Sequence, residues 1–191
     1  MVMRIGDRVI GDSAPPFVIA EVSGNHDGSL DRALEIVDAA AAAGADAIKL
    51  QTYTADSMTL DIDEPDFRVE EEGSLWFGER LYDLYDRAHT PWEWHGPIYE
   101  RARSHGLIAF SSAFDPASVD LLETLGTPCY KIASFENVDI PLIAHAAGTG
   151  KPLIISTGMA TQEEIHEAVD AAREAGCTQL ALLKCTSSYP A

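Results

Sequence analysis

Residues 17–52 read FVIAEVSGNHDGSLDRALEIVDAAAAAGADAIKLQT, and this stretch decides the fold. It opens on an apolar run, FVIAEV at Phe17 to Val22, and closes on a second, DAIKLQT at Asp46 to Thr52. Near-continuous hydrophobicity over so few residues is what a parallel strand covered on both faces requires. Between the two runs, Leu30, Leu34, Val37 and Ala41 fall at helical spacing from Ser29 to Ala43. Ser29 is placed to cap the amino end, and Gly44 to close the carboxyl end. Strand, helix and strand in that order form one right-handed βαβ unit.

The unit repeats along the chain. Further apolar runs are LIAFSS at Leu107 to Ser112, PCYKIAS at Pro128 to Ser134, PLIIST at Pro152 to Thr157 and LALLKCT at Leu180 to Thr186. Helix signals separate them at Trp94 to Ser104, at Asp115 to Leu125 before Gly126, and at Thr161 to Ala175, where Thr161 and Glu164 form a capping box before Gly176. This alternation means an α/β fold. No GxGxxG follows the first strand and no GxxxxGK[ST] is present, so a barrel is preferred to a nucleotide-binding doubly wound sheet. The expected fold is a TIM (β/α)8-type barrel, incomplete here, with about six of eight βα units. Stopping after six strands would leave two long apolar edges, so residues 1–191 are expected to be the amino-terminal portion of something longer, or to need a partner.

One connection is anomalous. About fifty residues separate the second and third runs, including the acidic stretch Asp61 to Glu72 and the aromatic residues Trp76, Phe77, Tyr82, Tyr85, Trp92 and Trp94. Loops of this length are functional lids, oligomer contacts or mobile segments. About half of these aromatics can be accounted for as packing for helices at Leu81 to Ala88 and from Trp94 onward.

At 191 residues, 46% of them apolar, the chain can bury one domain-sized core. No window reaches the roughly 18 apolar residues of a membrane span, and MVMRIGDRVIGD lacks a secretory apolar stretch, so a cytoplasmic location is expected. A formal net charge of -18 disfavours nucleic acid and anionic membrane as partners. Few lysines and many alanines beneath such an acidic skin suggest adaptation to high salt. Cys129, Cys177 and Cys185 show no CxxC pairing and read as buried small hydrophobes.

The acidic excess makes the cations informative. Only four of 13 basic residues are lysines, Lys49, Lys131, Lys151 and Lys184, and all lie in or beside the apolar runs. Lysine is ordinarily a surface residue, so this placement needs a reason, and convergence on an anion supplies one. Barrel active sites lie at the carboxyl ends of the strands. There the first strand has Glu21, followed by Ser23, Asn25 and His26, and the second has Lys49 and Gln51, two apart and so on one face. The third ends in Ser111 and Ser112, and the fourth carries Lys131, then Ser134 and Glu136. Ser156-Thr157-Gly158 ends the fifth, and Lys184, Thr186, Ser187, Ser188 and Tyr189 the sixth. Two or three ammonium groups with hydroxyls and loop amides around one mouth suit a phosphate and a carboxylate together. Any single serine there can be a turn residue or helix cap, and an inward lysine can pair with Glu21 or Glu136 for structure alone. Six polar strand ends together are harder to explain that way.

These strand ends carry a family resemblance. IAEVSGNHDG, GADAIKLQTYT, FSSAFD, YKIASFE, LIISTGMAT and LLKCTSSYP resemble, in order, the strand-end motifs of the sialic acid synthase family. LYDLYDRAHTPWEWH and KCTSSYPA are most similar to its pseudaminic acid synthase branch; N-acetylneuraminate synthases usually have Asn in place of Ser187, and legionaminic acid synthases are the nearest confusable relatives. The resemblance implies condensation of phosphoenolpyruvate with a 2,4-diacetamido-2,4,6-trideoxy hexose of the altrose type, giving pseudaminic acid and phosphate. It assigns phosphoenolpyruvate to Lys49, Ser112, Lys131, Ser134, Ser156 and Ser187 and the sugar to Gln51, Glu21 and Tyr189; by their own place at the strand ends, Lys184 and Asn25 are further substrate-binding candidates. It also implies a divalent cation, Mn2+ or Mg2+, whose histidine ligands lie beyond residue 191, and a homodimer at full length in which a small C-terminal antifreeze-like domain covers the partner's site.

In that reaction C3 of the enol ether attacks the open-chain aldehyde, water captures an oxocarbenium-like C2, and phosphate leaves by C–O cleavage. Such a cation beside two anions needs fixed electrostatics. Glu136 is the candidate for proton handling, because a carboxylate beside lysines is expected to stay ionised; as a partner of Lys131 or Lys184 it would be purely structural. His89, His95, His105, His145 and His166 read as helix or loop surface, and no HxH or HExxH is present. Only His26, just after a strand end, is placed near a site. Two other readings stand beside this one: a Schiff-base aldolase using Lys184 or Lys131, and a non-catalytic barrel that binds sugar or phosphoenolpyruvate.

Overall fold

The computed structural model of the chain describes residues 2–185. A short antiparallel hairpin comes first, β1 (Met3–Ile5) and β2 (Arg8–Ile10). Six parallel strands follow: β3 (Ile19–Glu21), β4 (Ala47–Thr52), β5 (Ile108–Ala113), β6 (Tyr130–Ile132), β7 (Leu153–Ser156) and β8 (Leu180–Leu183). They pair strictly in sequence order, β3-β4-β5-β6-β7-β8, in one curled sheet. That is the incomplete TIM-type barrel expected from the alternation of runs. Among the described residues β3 and β8 are its two edges, and Leu182 and Leu183 are exposed on β8.

Five of the seven α-helices among the described residues cover the outer face, and the other two belong to the long connection between β4 and β5. In chain order the seven are α1 (Leu30–Ala42), the single turn α2 (Ala55–Met58), α3 (Leu81–Ala88), α4 (Trp92–Ser104), α5 (Pro116–Thr124), α6 (Ile140–Gly148) and α7 (Gln162–Glu174). Ser29 accepts from the Arg32 amide to cap α1, and Thr161 and Glu164 form the expected capping box on α7. Two features escape the sequence reading. α6 is one: its IPLIAHAAG is apolar around most of its circumference and shows no stripe. The hairpin is the other; its signal was Gly6-Asp7 between two alternating runs, MRI and RVI.

Strand parity divides the core in two. Outward residues such as Ile48, Leu50, Tyr130, Ile132, Leu153 and Ile155 pack against Val37, Ile98, Leu122, Leu142, Ala146 and Ala172 of the helices. Alanines on the helix faces let the backbones approach closely. A second cluster fills the amino-terminal end of the barrel, where Met3 and Ile5 meet Ala47, Phe110, Cys129 and Ile154. The hairpin thus plugs the floor, and all inward polar groups lie above it.

The long connection after β4 is an excursion, 53–91, followed by the barrel helix α4. Its tip is open to solvent: Leu75, Trp76 and Phe77 are exposed, whereas Trp94 packs on the main core. Its return is anchored by His95, which is fully buried, contrary to the surface position expected from sequence. His95 Nδ1 donates to the Pro91 carbonyl at 3.1 Å, so Nε2 accepts from Thr52 Oγ1 at 2.8 Å, and Thr52 accepts from Ser111 Oγ at 2.6 Å. Replacing His95 with alanine would strand the buried Thr52 hydroxyl and leave a cavity. The expected loss is about 2–4 kcal/mol in urea unfolding, with an unchanged m-value.

Candidate active site

Parallel register sets the inward residues at common heights. Glu21 pairs with Lys49, Lys49 with Phe110, Gln51 with Ser112, and Ser112 with Lys131. The sequence-predicted residues Lys49, Ser112, Lys131 and Ser156 are all buried, which for two lysines in one interior demands partners. Lys131 Nζ donates to Ser156 Oγ at 2.5 Å and to the Ile132 carbonyl at 2.6 Å. Lys49 Nζ reaches Ser112 Oγ at 3.5 Å and lies 3.3 Å from the carboxylate of Glu21. Glu21 is more than half exposed, so that ion pair is weak and its carboxylate faces the mouth.

None of these contacts neutralises the second ammonium. Burial, then the neighbouring Lys49 charge, pulls Lys131 down to about 8, against smaller upward pulls from Cys185, Glu21 and Glu136. An ordinary lysine in the unfolded chain holds its proton to about 10.4. Between those values the unfolded chain binds more protons than the folded one, so stability rises with pH. Ligand-free protein is therefore expected to become harder to unfold between about pH 8 and pH 10, in denaturant titrations at fixed ionic strength. Above that window buried tyrosines oppose the gain, Tyr53 being raised to about 12 chiefly by burial.

Glu136 sits on the turn after β6, in the 3-10 segment Phe135–Val138. Its Oε2 is buried with no hydrogen-bond partner, and so is Oδ1 of its neighbour Asn137, whose amide donates to the Ser156 carbonyl at 3.2 Å. Burial raises the pKa of Glu136 above that of an ordinary glutamate, against smaller downward pulls from a backbone hydrogen bond and from Lys131. A half-buried carboxyl with one buried, unpaired oxygen close to Lys131 marks Glu136 as a functional-site candidate.

Lys184 does not join the pair. Leu183 is level with Ser156, which points inward, so Lys184 alternates to the outer face and is exposed. The inward neighbour is Cys185, read from sequence as a buried hydrophobe. Burial pushes its thiol up, but the hydroxyls of Ser156 and Ser134, with Lys131, outweigh that and bring it below an ordinary cysteine. Cys129 and Cys177 are buried as expected. Ser187 and Tyr189 lie outside the described residues.

Above the lysines opens a cleft of about 890 Å³. One wall is the loop after β3, with Ser23, Asn25 and Asp27; Gln51 and Tyr53 form its base, and Trp76, Leu84, Tyr85 and Arg87 from the long connection close the other side. Polar groups on one wall, facing apolar and aromatic groups with the charged Arg87 on the other, suit a ligand of mixed character. Gln51 and Asn25 were anticipated here; the aromatic wall was not, because its residues are remote in sequence. Tyr53 stands edge-on to Tyr85 at 6.0 Å and to Phe114 at 5.5 Å, and Tyr85 is close enough to Glu136 to be raised further by its charge after burial. The Glu136 charge is thus felt both by Tyr85 of the cleft wall and by Lys131 of the cationic pocket. Among the described residues no three His, Cys, Asp or Glu side chains are grouped to hold a metal ion, and no helix is long and apolar enough to cross a membrane.

Comparison with known proteins agrees with this geometry. The sequence profile of the NeuB family matches residues 36–191. The pseudaminic acid synthase of Campylobacter jejuni subsp. jejuni serotype O:2 is 48% identical over 91% of this chain and 50% of its own length, and that of Helicobacter pylori is 47% identical over 92% and 51%. In three dimensions the chain is similar to an N-acetylneuraminic acid synthetase of Leptospira borgpetersenii in complex with citrate, with TM-score 0.85 and 30% identity over 100% of this chain and 61% of that one. The chain spans about half the length of the curated relatives it matches.

Proposed function

The chain belongs to the NeuB family, as its strand-end motifs indicated, and from that premise we propose that the protein at full length condenses phosphoenolpyruvate with an acetamido-deoxy hexose to form a pseudaminic-type nonulosonic acid and phosphate. The observation that carries this reading is the buried pair Lys49 and Lys131, ringed by Ser112 and Ser156, directly beneath the amphipathic cleft. Two ammonium groups at one interior are unfavourable until an anion of at least two charges arrives. Phosphoenolpyruvate carries a phosphate and a carboxylate within one small molecule. The 47–48% identity to proteins named pseudaminic acid synthase favours that branch over the legionaminic and N-acetylneuraminate ones.

In this reading Lys49, Lys131, Ser112, Ser134 and Ser156 hold the phosphoenolpyruvate, with C3 turned toward the cleft. Gln51, Asn25 and Glu21 orient the open-chain sugar so that its aldehyde meets C3. Glu136 steadies the positive charge that develops at C2 and takes a proton from the attacking water. Phosphate then leaves with C–O cleavage. The described residues alone do not assemble a metal site, so no step is routed through one here; Mn2+ or Mg2+ remains part of the proposal for the full-length protein, as does a homodimer.

The test is phosphate release from phosphoenolpyruvate by the full-length protein, against a panel of deoxy and acetamido hexoses. Release with 2,4-diacetamido-2,4,6-trideoxy hexoses ahead of N-acetylmannosamine is expected. No release with any acceptor would overturn the reading. The depressed Lys131 also keeps a Schiff-base aldolase in view, whereas Lys184 faces away from the pocket. Borohydride with a keto substrate traps a covalent adduct only in the aldolase case.

A further inference from the structure

The two walls of the cleft come from distant parts of the chain, and no strand ladder ties them. One is the loop 23–28; the other is α3, which contributes Leu84, Tyr85 and Ala88. They come close at Gly24, where a Cβ would sit 3.4 Å from the Ala88 carbonyl oxygen, at van der Waals distance. The loop itself is strained: Ser23 and Asp27 hold φ of 47° and 49°, in the left-handed region that side chains other than glycine adopt only at a cost.

His26 lies in the middle of this loop yet turns away from the cleft, with 1% exposure. The Gly28 amide donates to Nδ1 at 3.2 Å, which puts the ring hydrogen on Nε2, and Nε2 donates to Thr90 Oγ1 at 3.2 Å. Thr90 is equally buried and follows α3 by two residues. The ring also stands edge-on to Trp94 of α4, centroids 5.5 Å apart. Burial, reinforced by His89 and opposed by Asp27, holds its pKa below that of an ordinary histidine, so the neutral tautomer persists at neutral pH.

We infer that His26 is a positioning residue, a latch that joins the strained 23–28 loop to the exit of α3 and so fixes the width of the cleft that receives the acceptor sugar. It touches no substrate. It acts through its neighbours Asn25 and Asp27, which line the cleft, and the inference rests on the proposed reading only in assigning that cleft to the sugar.

Thr90→Val removes the acceptor of the Nε2–H while keeping the side-chain shape; His26→Asn retains a carbonyl for the Gly28 amide but falls short of Thr90. In the full-length protein each variant is expected to raise KM for the acceptor about three- to tenfold, the equivalent of one hydrogen bond, while KM for phosphoenolpyruvate stays put. The double variant should match either single, because both cut the same link. In ligand-free protein, amide exchange across residues 23–28 should quicken in both singles. A parallel rise in both KM values, or multiplicative losses in the double variant, overturns the latch. If the wild-type protein releases no phosphate with any acceptor, the functional proposal fails instead. Amide exchange then decides the latch alone, and unchanged exchange in Thr90→Val refutes it even if His26→Asn does not fold.

Discussion

Replacing Glu136 with glutamine is expected to lower kcat by about 10²- to 10⁴-fold, the usual contribution of a proton-handling side chain, while phosphoenolpyruvate still binds. Glutamine has the same shape and can fill the same half-buried site on the Phe135–Val138 turn. What it lacks is the ability to accept a proton or to oppose a growing positive charge. Its neutrality also removes a negative charge that faces Lys131, so affinity for a dianion should hold or rise slightly. Calorimetric titration of phosphoenolpyruvate into the variant, alongside single-turnover phosphate release, separates the two effects. A variant that turns over at the wild-type rate removes Glu136 from the chemistry and returns it to a structural partner of Lys131.

Lys131→Met should act in opposite directions on binding and on stability. Losing a buried, hydrogen-bonded cation from the anion grip is expected to cost about 2–5 kcal/mol of phosphoenolpyruvate affinity, about thirtyfold to several thousandfold in Kd. The free protein gains. Holding Lys131 charged at neutral pH, with a pKa drawn down to about 8, costs the folded state on the order of 3 kcal/mol at about 1.4 kcal/mol per pH unit. Methionine fills the same channel without that cost, though the Ile132 carbonyl and Ser156 hydroxyl lose a donor. The net expectation is a ligand-free Tm several degrees above wild type, and no rise in stability between about pH 8 and 10. A drop in Tm together with retained affinity would show that the lysine is a structural tie, and the pocket something other than an anion site.

The sequence made the six barrel strands legible because buried parallel strands write themselves as short apolar runs. It was less informative about which face of a run points inward. In AIKLQT the spacing of Lys49 and Gln51 marks one face as polar, and the register confirms it. LALLKC carries a single charged residue with apolar neighbours on both sides, and the parity that turns Lys184 outward and Cys185 inward is invisible until β8 is aligned to β7. Histidine is ambiguous in a different way. His95 lies on a helix that also carries exposed His105 at its end, and only its contact with Thr52, which in turn bonds Ser111 on the next strand, distinguishes it from a surface residue. The aromatic wall of the cleft was recognised as an anomaly of length and composition, but its placement over Gln51 depends on how the excursion 53–91 folds back, which local periodicity does not encode.

The hairpin of β1 and β2 has a consequence for traffic. Because Met3 and Ile5 cork the amino-terminal end of the strands, the inward polar residues are approached from the carboxyl-terminal side and not from below. Lys49 lies one strand repeat deeper than Gln51, so whatever rests on the lysines is trapped behind whatever fills the vestibule. For the proposed reaction at full length, the expected consequence is an order of binding in which the phosphorylated partner settles below the vestibule before the sugar.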